Sequence, residues 1–276
     1  KNTLDNFLKE KEIKGTVLVA KEGINGSISG LKKDLDECIK LLKVYLKIRN
    51  LEIKINKTKF FPFNRMKVRL KNEIVSLGQG DINVNKYRAK LIDPKTWNSL
   101  ISDEKIKVID VRNEFEIAIG NFTGSINPKT KSFRCFPSAI KKLNINKNDK
   151  IAMYCTGGIR CEKASAYLKL KGFKNVYQLN GGIINYLDYF KDKRLETLWN
   201  GECFVFDQRV TIKKDLKKGS FFQCYGCRRP ITKKDIESNK YKKGVHCPYC
   251  FNKRTKKQKK GSEDRQKQID NNLKIL

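Results

Sequence analysis

The chain has 276 residues, 39% of them hydrophobic, with 61 Lys+Arg against 29 Asp+Glu and a formal net charge of +32. Such a length exceeds what one hydrophobic core usually serves, so two or three compact units are expected, and the positive potential favours a polyanion such as nucleic acid. No long apolar run and no charged-then-apolar leader occurs, which argues against a membrane span or secretion and for a cytoplasmic protein. In chain order, "GTVLVAKEGINGSISG" reads as two short β segments around a turn, with Asn25-Gly26 as its signal. "DLDECIKLLKVYLK" places Leu35, Ile39, Leu42 and Leu46 at helical spacing. "LEIKINKT" alternates as a strand, and "MKVRLKNEIVSL" supplies another, giving a ferredoxin-like α+β unit over residues 1–85.

A polar connector leads to alternating strand and helix signals over residues 100–195. "KVIDV", "IAMY" and "VYQL" read as buried strands, with helices at Glu162–Lys171 and Ile183–Phe190, so a parallel α/β sheet with helices on both faces is expected. Gly172 sits where a helix C-cap glycine belongs, and Gly181-Gly182 punctuates the approach to the last helix. Residues 196–276 form a cysteine-bearing, basic region. From Gly201 onward there are 21 Lys+Arg and 8 Asp+Glu, a net of +13, and "NKRTKKQKKGSEDRQKQ" reads as a disordered basic arm.

Cys155 follows "IAMY" directly, at the carboxyl end of a strand, where ligand sites of open α/β sheets lie. Residues Thr156, Gly157, Gly158, Ile159, Arg160 and Cys161 can curl so that backbone N–H groups face the sulfur, while the following helix points its positive end there. Glycines permit the tight path, and Arg160 can add fixed positive charge beside an anion. Cys161 reads as a packing residue or a resolving thiol. Cys38 and Cys135 read as structural or incidental, and Cys203 lies in "GECFVFDQRV", a strand pair.

A second constellation is stronger by spacing alone. "CYGC" and "CPYC" place Cys224, Cys227, Cys247 and Cys250 as two C-x2-C knuckles, the ligand set of a closed structural zinc site, with His246 a neighbour rather than a ligand. "FPFNRMKVRLK" puts Arg65, Lys67, Arg69 and Lys71 on one strand face, able to track phosphates or simply solvated, and Met66, Val68 and Leu70 on the other, core-facing side. No dinucleotide fingerprint signals a flavin or nicotinamide, and a single histidine cannot build the two-histidine site of a non-haem iron oxygenase.

"CTGGIRC" has the Cys-x-x-Gly-x-Arg form of the rhodanese active loop, and "VIDVRNEFEIAIGNFTGSINP" is similar to the opening strand and Asp-Val-Arg turn of that fold. Together with "KEGINGSISG", "FPFNRMKVRLKNEIVSLG", "FRCFP" and "YCTGGIRCEKASAYL", the chain resembles the rhodanese-containing tRNA uridine hydroxylases over most of residues 15–200. The resemblance implies oxygen-dependent conversion of the wobble uridine of tRNA to 5-hydroxyuridine, with Cys155 at the active-site position. It also implies a further strand before "KNTLDNFLKEKEIKG", so the first strand of the ferredoxin-like unit is expected to be missing. Two other readings stand beside it: a sulfurtransferase carrying a persulfide on Cys155, and a non-catalytic RNA-binding protein. No protein partner is legible.

Overall fold

The computed structural model describes residues 2–47, 51–58, 60–80, 82–192 and 196–274. The chain divides into two compact units, residues 1–78 and 79–276.

In the first unit, α1 (Asn2–Glu10) precedes the hairpin β1 (Lys14–Ala20) and β2 (Gly23–Ser29), then α2 (Lys32–Tyr45) and β3 (Met66–Leu70). The sheet order is β2-β1-β3, with β1 antiparallel to β2 and parallel to β3. Leu8 of α1, Cys38 and Leu42 of α2, Ile13 and Val68 form its buried core, flanked by Ile24 and Ile28. Those two isoleucines explain a correction to the hairpin. The turn lies at Lys21–Glu22, and Asn25 and Gly26 sit inside β2 opposite Leu18 and Val17. A turn four places on, at Asn25-Gly26, would put Ile24 into the first strand on the face opposite Val17, away from the core, so packing overrides the local Asn-Gly preference.

"LEIKINKT" is irregular rather than a strand, and Ile53 and Ile55 are exposed. Its alternation has no covered face to fill, since both isoleucines stay in water, so periodicity alone does not make it a strand. Leu70, expected on the core face of β3, is 64% exposed while Val68 is buried.

The second unit continues with β4 (Lys90–Ile92), α3 (Pro94–Ile101), β5 (Ile106–Asp110), α4 (Glu114–Ile117), β6 (Gly120–Phe122), α5 (Phe136–Lys142), β7 (Lys150–Tyr154), α6 (Ile159–Leu170), β8 (Asn175–Leu179) and α7 (Gly182–Phe190). Four strands make a parallel sheet in the order β4-β8-β7-β5, the α/β architecture expected from the alternating signals. Parallel strands need crossover segments, and the intervening helices provide them. α6 ends in a Schellman motif: Gly172 N–H donates to Lys169 O and Phe173 N–H to Leu168 O, as the C-cap glycine anticipates.

The core is aromatic. Phe122 meets Trp97, Tyr154, Tyr186 and Trp199 edge-on, at centroid distances of 5.8, 4.8, 4.7 and 5.2 Å. Each such pair adds about 0.5–1.5 kcal/mol beyond its area burial. Trp199 reaches this cluster because β9 (Trp199–Gly201) pairs antiparallel with β6, carrying the chain back onto the sheet. The expected boundary at 195/196 falls on residues 193–195, outside those described.

Beyond β9 come the two-stranded β10 (Cys203–Phe204) with β11 (Thr211–Ile212), and β12 (Phe222–Gln223) with β13 (Pro230–Ile231). α8 (Lys233–Ile236) and α9 (Lys256–Lys274) follow. The basic tail is therefore a helix, not a disordered arm. It lacks an apolar stripe, but Arg265 donates to Gly244 O at 3.1 Å, Lys242 pairs with Glu263 at 2.6 Å and Arg254 donates to Ser262 Oγ at 2.7 Å. Polar side-chain bonds to the cysteine knuckles hold a helix that composition alone would leave unfolded. Among the described residues no helix is long and apolar enough to cross a membrane.

Candidate active site and cysteine centre

The thiol loop lies at the carboxyl end of β7, between the N-termini of α6 and α7. β7 is buried from Ile151 to Tyr154, so the chain emerges from the sheet at Cys155, itself 1% exposed. It then turns back through Gly157, which is exposed, and Gly158, whose φ of +100° glycine adopts without the steric cost a side chain would add. Gly158 N–H donates to Cys155 Sγ at 3.1 Å, and the Cys161 backbone N–H and thiol add two further hydrogen bonds.

From the other side, Ile183 N–H donates to Cys155 O at 2.9 Å and Ile184 N–H to Thr156 O at 3.1 Å. This contact leaves no room above Gly182: a Cβ there would sit 2.5 Å from Cys155 O, and its φ is +67°. Gly182 thus lets α7 close on the loop, a role the sequence shows only as punctuation.

Arg160 turns inward. Its guanidinium makes a two-pronged pair with Glu116, at 2.7 and 2.8 Å, and donates to Thr156 Oγ1 at 3.2 Å. Its charge is therefore anchored by a buried carboxylate rather than held open toward solvent. Glu116 comes from α4, 44 residues away, and also accepts Asn113 N–H at 3.1 Å. Burial alone would raise Glu116, yet Arg160, Arg112 and that N–H hold it below the usual carboxylate range. Removing one partner of such a buried pair costs about 3–5 kcal/mol, because the other charge is stranded.

A second buried pair lies behind the first. Arg112 donates to Asp110 at 2.6 and 2.9 Å, to Gly120 O at 2.6 Å and to Glu116 O at 3.3 Å, with its guanidinium 5.1 Å from the Trp199 ring. The Asp-Val-Arg turn marks this pair in the sequence. Nothing local to Glu116 marks the first one.

The balance of forces on Cys155 favours thiolate. Burial pushes the thiol up, but the Cys161 thiol, the Arg160 charge and the N–H groups of Cys161 and Gly158 outweigh it and bring it to about 6. Cys161 moves the other way, raised by burial and by its donation to Cys155. A thiolate ultraviolet titration, taken as wild type minus Cys155→Ser, is expected to show one thiol ionising near pH 6. Because the folded value lies below the ordinary 9.0, this group adds stability fully present above pH 9.0 and lost as pH falls through about 6. A difference titration centred near 9 would contradict the cradle.

The second constellation assembles as its spacing predicts. The sulfurs of Cys224, Cys227, Cys247 and Cys250 all lie within 4.8 Å of one another. Cys224 and Cys250 are 3.9 Å apart, Cys227 and Cys247 3.8 Å, and Cys247 and Cys250 3.9 Å. A tetrahedron with zinc–sulfur bonds of about 2.3 Å has edges of about 3.8 Å, so this cluster can hold a metal such as zinc. His246 stands apart, its Nδ1 2.9 Å from Lys240 O and its ring against Phe251.

On the first unit, Arg65, Arg69 and Lys71 are exposed along β3 and Lys67 is half-buried. Phe60 and Phe61 lie open beside them, with Lys14 Nζ 4.7 Å from the Phe61 centroid. Cys38 is a core residue, Cys135 is exposed, and Cys203 is buried, its thiol raised by burial to about 12.

A family model described as a UPF0176 acylphosphatase-like domain matches residues 1–74, and a rhodanese-like domain model matches residues 93–188. The tRNA uridine(34) hydroxylase of Pelagibacter ubique (strain HTCC1062) is 47% identical over 268 residues, covering 97% of this chain and 87% of the relative. Among solved structures, a rhodanese-like domain from Anabaena sp. is 20% identical over 36% of this chain and 74% of its own, with a TM-score of 0.31. A rhodanese-like domain protein from Staphylococcus aureus is 25% identical over 35% of this chain and 90% of its own, with a TM-score of 0.30.

Proposed function

The chain belongs to the tRNA uridine(34) hydroxylase family, and on that premise we propose that it converts the wobble uridine of tRNA to 5-hydroxyuridine in the cytoplasm, with Cys155 as nucleophile. The observation that carries the reading is the near-full-length identity to a tRNA uridine(34) hydroxylase, and the thiolate cradle around Cys155 supports it chemically.

The overall reaction replaces a C5–H bond by C5–OH: uridine, O2, two electrons and two protons give 5-hydroxyuridine and water. Molecular oxygen is the co-substrate, and a two-electron reductant supplies the electrons. Cys155 thiolate adds to C6, which moves the C5=C6 electron pair toward the C4 carbonyl and makes C5 electron-rich. After oxygen is installed at C5, loss of the C5 proton and expulsion of the thiolate restore the double bond. Within this scheme the loop N–H groups of Gly158 and Cys161 stabilise the sulfur as it enters and leaves. Arg160, locked on Glu116, acts by positioning the loop and by its field rather than as a free anion clamp.

Arg65, Lys67, Arg69 and Lys71 on β3 are assigned to the tRNA backbone, where lysine and arginine contacts give affinity without reading sequence. The four-cysteine centre is assigned to zinc in a structural role, since all four positions of a tetrahedron are taken by sulfur.

Mass spectrometry of tRNA nucleosides tests the reading. Cells lacking this chain are expected to lose 5-hydroxyuridine and to regain it on complementation. Unchanged 5-hydroxyuridine in the deletion, with thiosulfate-to-cyanide sulfur transfer by the pure chain, would establish the sulfurtransferase reading instead.

A further inference from the structure

Among the exposed aromatic side chains of the second unit, one stands beside the active loop and is held there by a rigid turn. Phe206 is 68% exposed, and its ring centroid lies 5.9 Å from the Arg160 guanidinium. Arg160 in turn donates to Thr156, the residue that follows Cys155. The ring is thus one guanidinium away from the thiol loop.

Its presentation is built rather than incidental. β10 and β11 form a hairpin in which Val205 N–H donates to Val210 O at 2.9 Å. Asp207 closes the turn by accepting Arg209 N–H at 2.9 Å and the Arg209 guanidinium at 2.5 and 3.0 Å. Gln208 accepts Tyr225 OH at 3.3 Å. Beneath it, Phe204 meets Phe206 edge-on at 5.1 Å and Phe115 at 5.3 Å. The residues around Phe206 are tied down, yet the ring itself keeps most of its area in water. Packing does not require that area, since Cys203 and Val205 already fill the core side of the hairpin and Phe204 is buried on the other.

We propose that Phe206 is the platform on which the target uracil stacks as it enters the site of Cys155. This inference rests on the hydroxylase reading above. The anticodon loop offers single-stranded bases with free faces, and proteins bind such bases by stacking them on aromatic rings and guanidinium planes. An exposed ring beside a buried guanidinium and a thiolate loop has that chemistry. It holds the pyrimidine near the sulfur without a hydrogen bond to any one base edge.

The test uses the zinc-loaded full chain and three variants, Phe206→Ala, Phe206→Tyr and Phe206→Trp. In a deletion strain, Phe206→Ala is expected to lower tRNA 5-hydroxyuridine by about five- to a hundredfold, the range that stacking of one base spans, while the Tyr and Trp variants retain most of it. With an anticodon stem-loop carrying a fluorescent pyrimidine at the wobble position, wild type is expected to quench the base and Phe206→Ala to lose that quenching. The thermal midpoint and the Cys155 thiolate titration of Phe206→Ala are expected to match wild type. Absence of 5-hydroxyuridine from the wild-type strain would remove the hydroxylase reading and this inference with it. Wild-type 5-hydroxyuridine that persists in Phe206→Ala would overturn the platform alone. So would a shifted thiol titration, which marks a structural role, or a failure of both aromatic variants to restore modification.

Discussion

Cys155→Ser is expected to abolish 5-hydroxyuridine formation, a drop of at least about a thousandfold on the scale of nucleophile removal, and to leave tRNA binding in place. A hydroxyl at this position keeps nearly the volume of the thiol. Its oxygen, however, ionises too weakly for the N–H groups of Gly158 and Cys161 and the Arg160 charge to make it an anion. Every step needing a sulfur nucleophile or a persulfide then fails. Binding is expected to follow the basic surface proposed for tRNA, which the substitution leaves alone. Arg160→Lys is expected to give an intermediate loss, because an ammonium cannot reproduce both bonds to Glu116 at 2.7 and 2.8 Å together with the contact to Thr156. The readouts are tRNA nucleosides from a deletion strain complemented with each variant, and RNA affinity of the purified chains. Wild-type 5-hydroxyuridine from the Cys155→Ser strain would sink the thiol mechanism.

The other large effect is expected on removing the metal proposed at the four-cysteine centre. The purified chain is expected to carry about one zinc, and Cys247→Ser or strong chelation is expected to melt the region from β12 through α9. The local core there is small: Ile231, Ile236 and Tyr241 packed around the four cysteines. Apolar burial on that scale cannot offset the chain entropy of ordering some fifty residues, whereas structural zinc in comparable peptides supplies about 10–16 kcal/mol. With the knuckles unfolded, α9 loses the Gly226 and Gly244 carbonyls that anchor Arg254 and Arg265, and the segment becomes protease-sensitive. Elemental analysis gives the stoichiometry, and limited proteolysis with and without chelator locates the change. A metal-free chain as protease-resistant as the purified one would refute the structural role.

The linear chain reveals both centres, but not the distant contacts that complete the thiol loop. The cysteine knuckles are legible because each C-x2-C pair is local: two sulfurs already converge on one point, and only the joining of the two pairs is left to the fold. The thiol loop is equally local. Cys155, Gly158 and Arg160 lie within six residues, bounded by an apolar strand and a helix, so the cradle follows from adjacency. By contrast Glu116, Gly182 and Phe206 approach that loop from 39, 27 and 51 residues away from Cys155, counted along the numbering, and no spacing rule connects them to it.

Local signals also misled where a tertiary term opposed them. Asn25-Gly26 has the chemistry of a hairpin turn, but keeping Ile24 on the core face sets the turn at Lys21–Glu22. "LEIKINKT" has the alternation of a strand but no covered face to hold it. The basic tail has the composition of a disordered arm, yet its arginines find buried carbonyl partners on the knuckles.

By itself the sequence determined the alternating α/β order, the thiolate loop and the four-sulfur centre, because each rests on periodicity or on ligands a few residues apart. Only the tertiary structure decided that Arg160 is spent on Glu116, that Gly182 clamps the loop and that Phe206 stands open beside it. Those are contacts between distant segments, and their geometry is set by how sheet, helices and hairpin pack together rather than by any residue's neighbours in the chain.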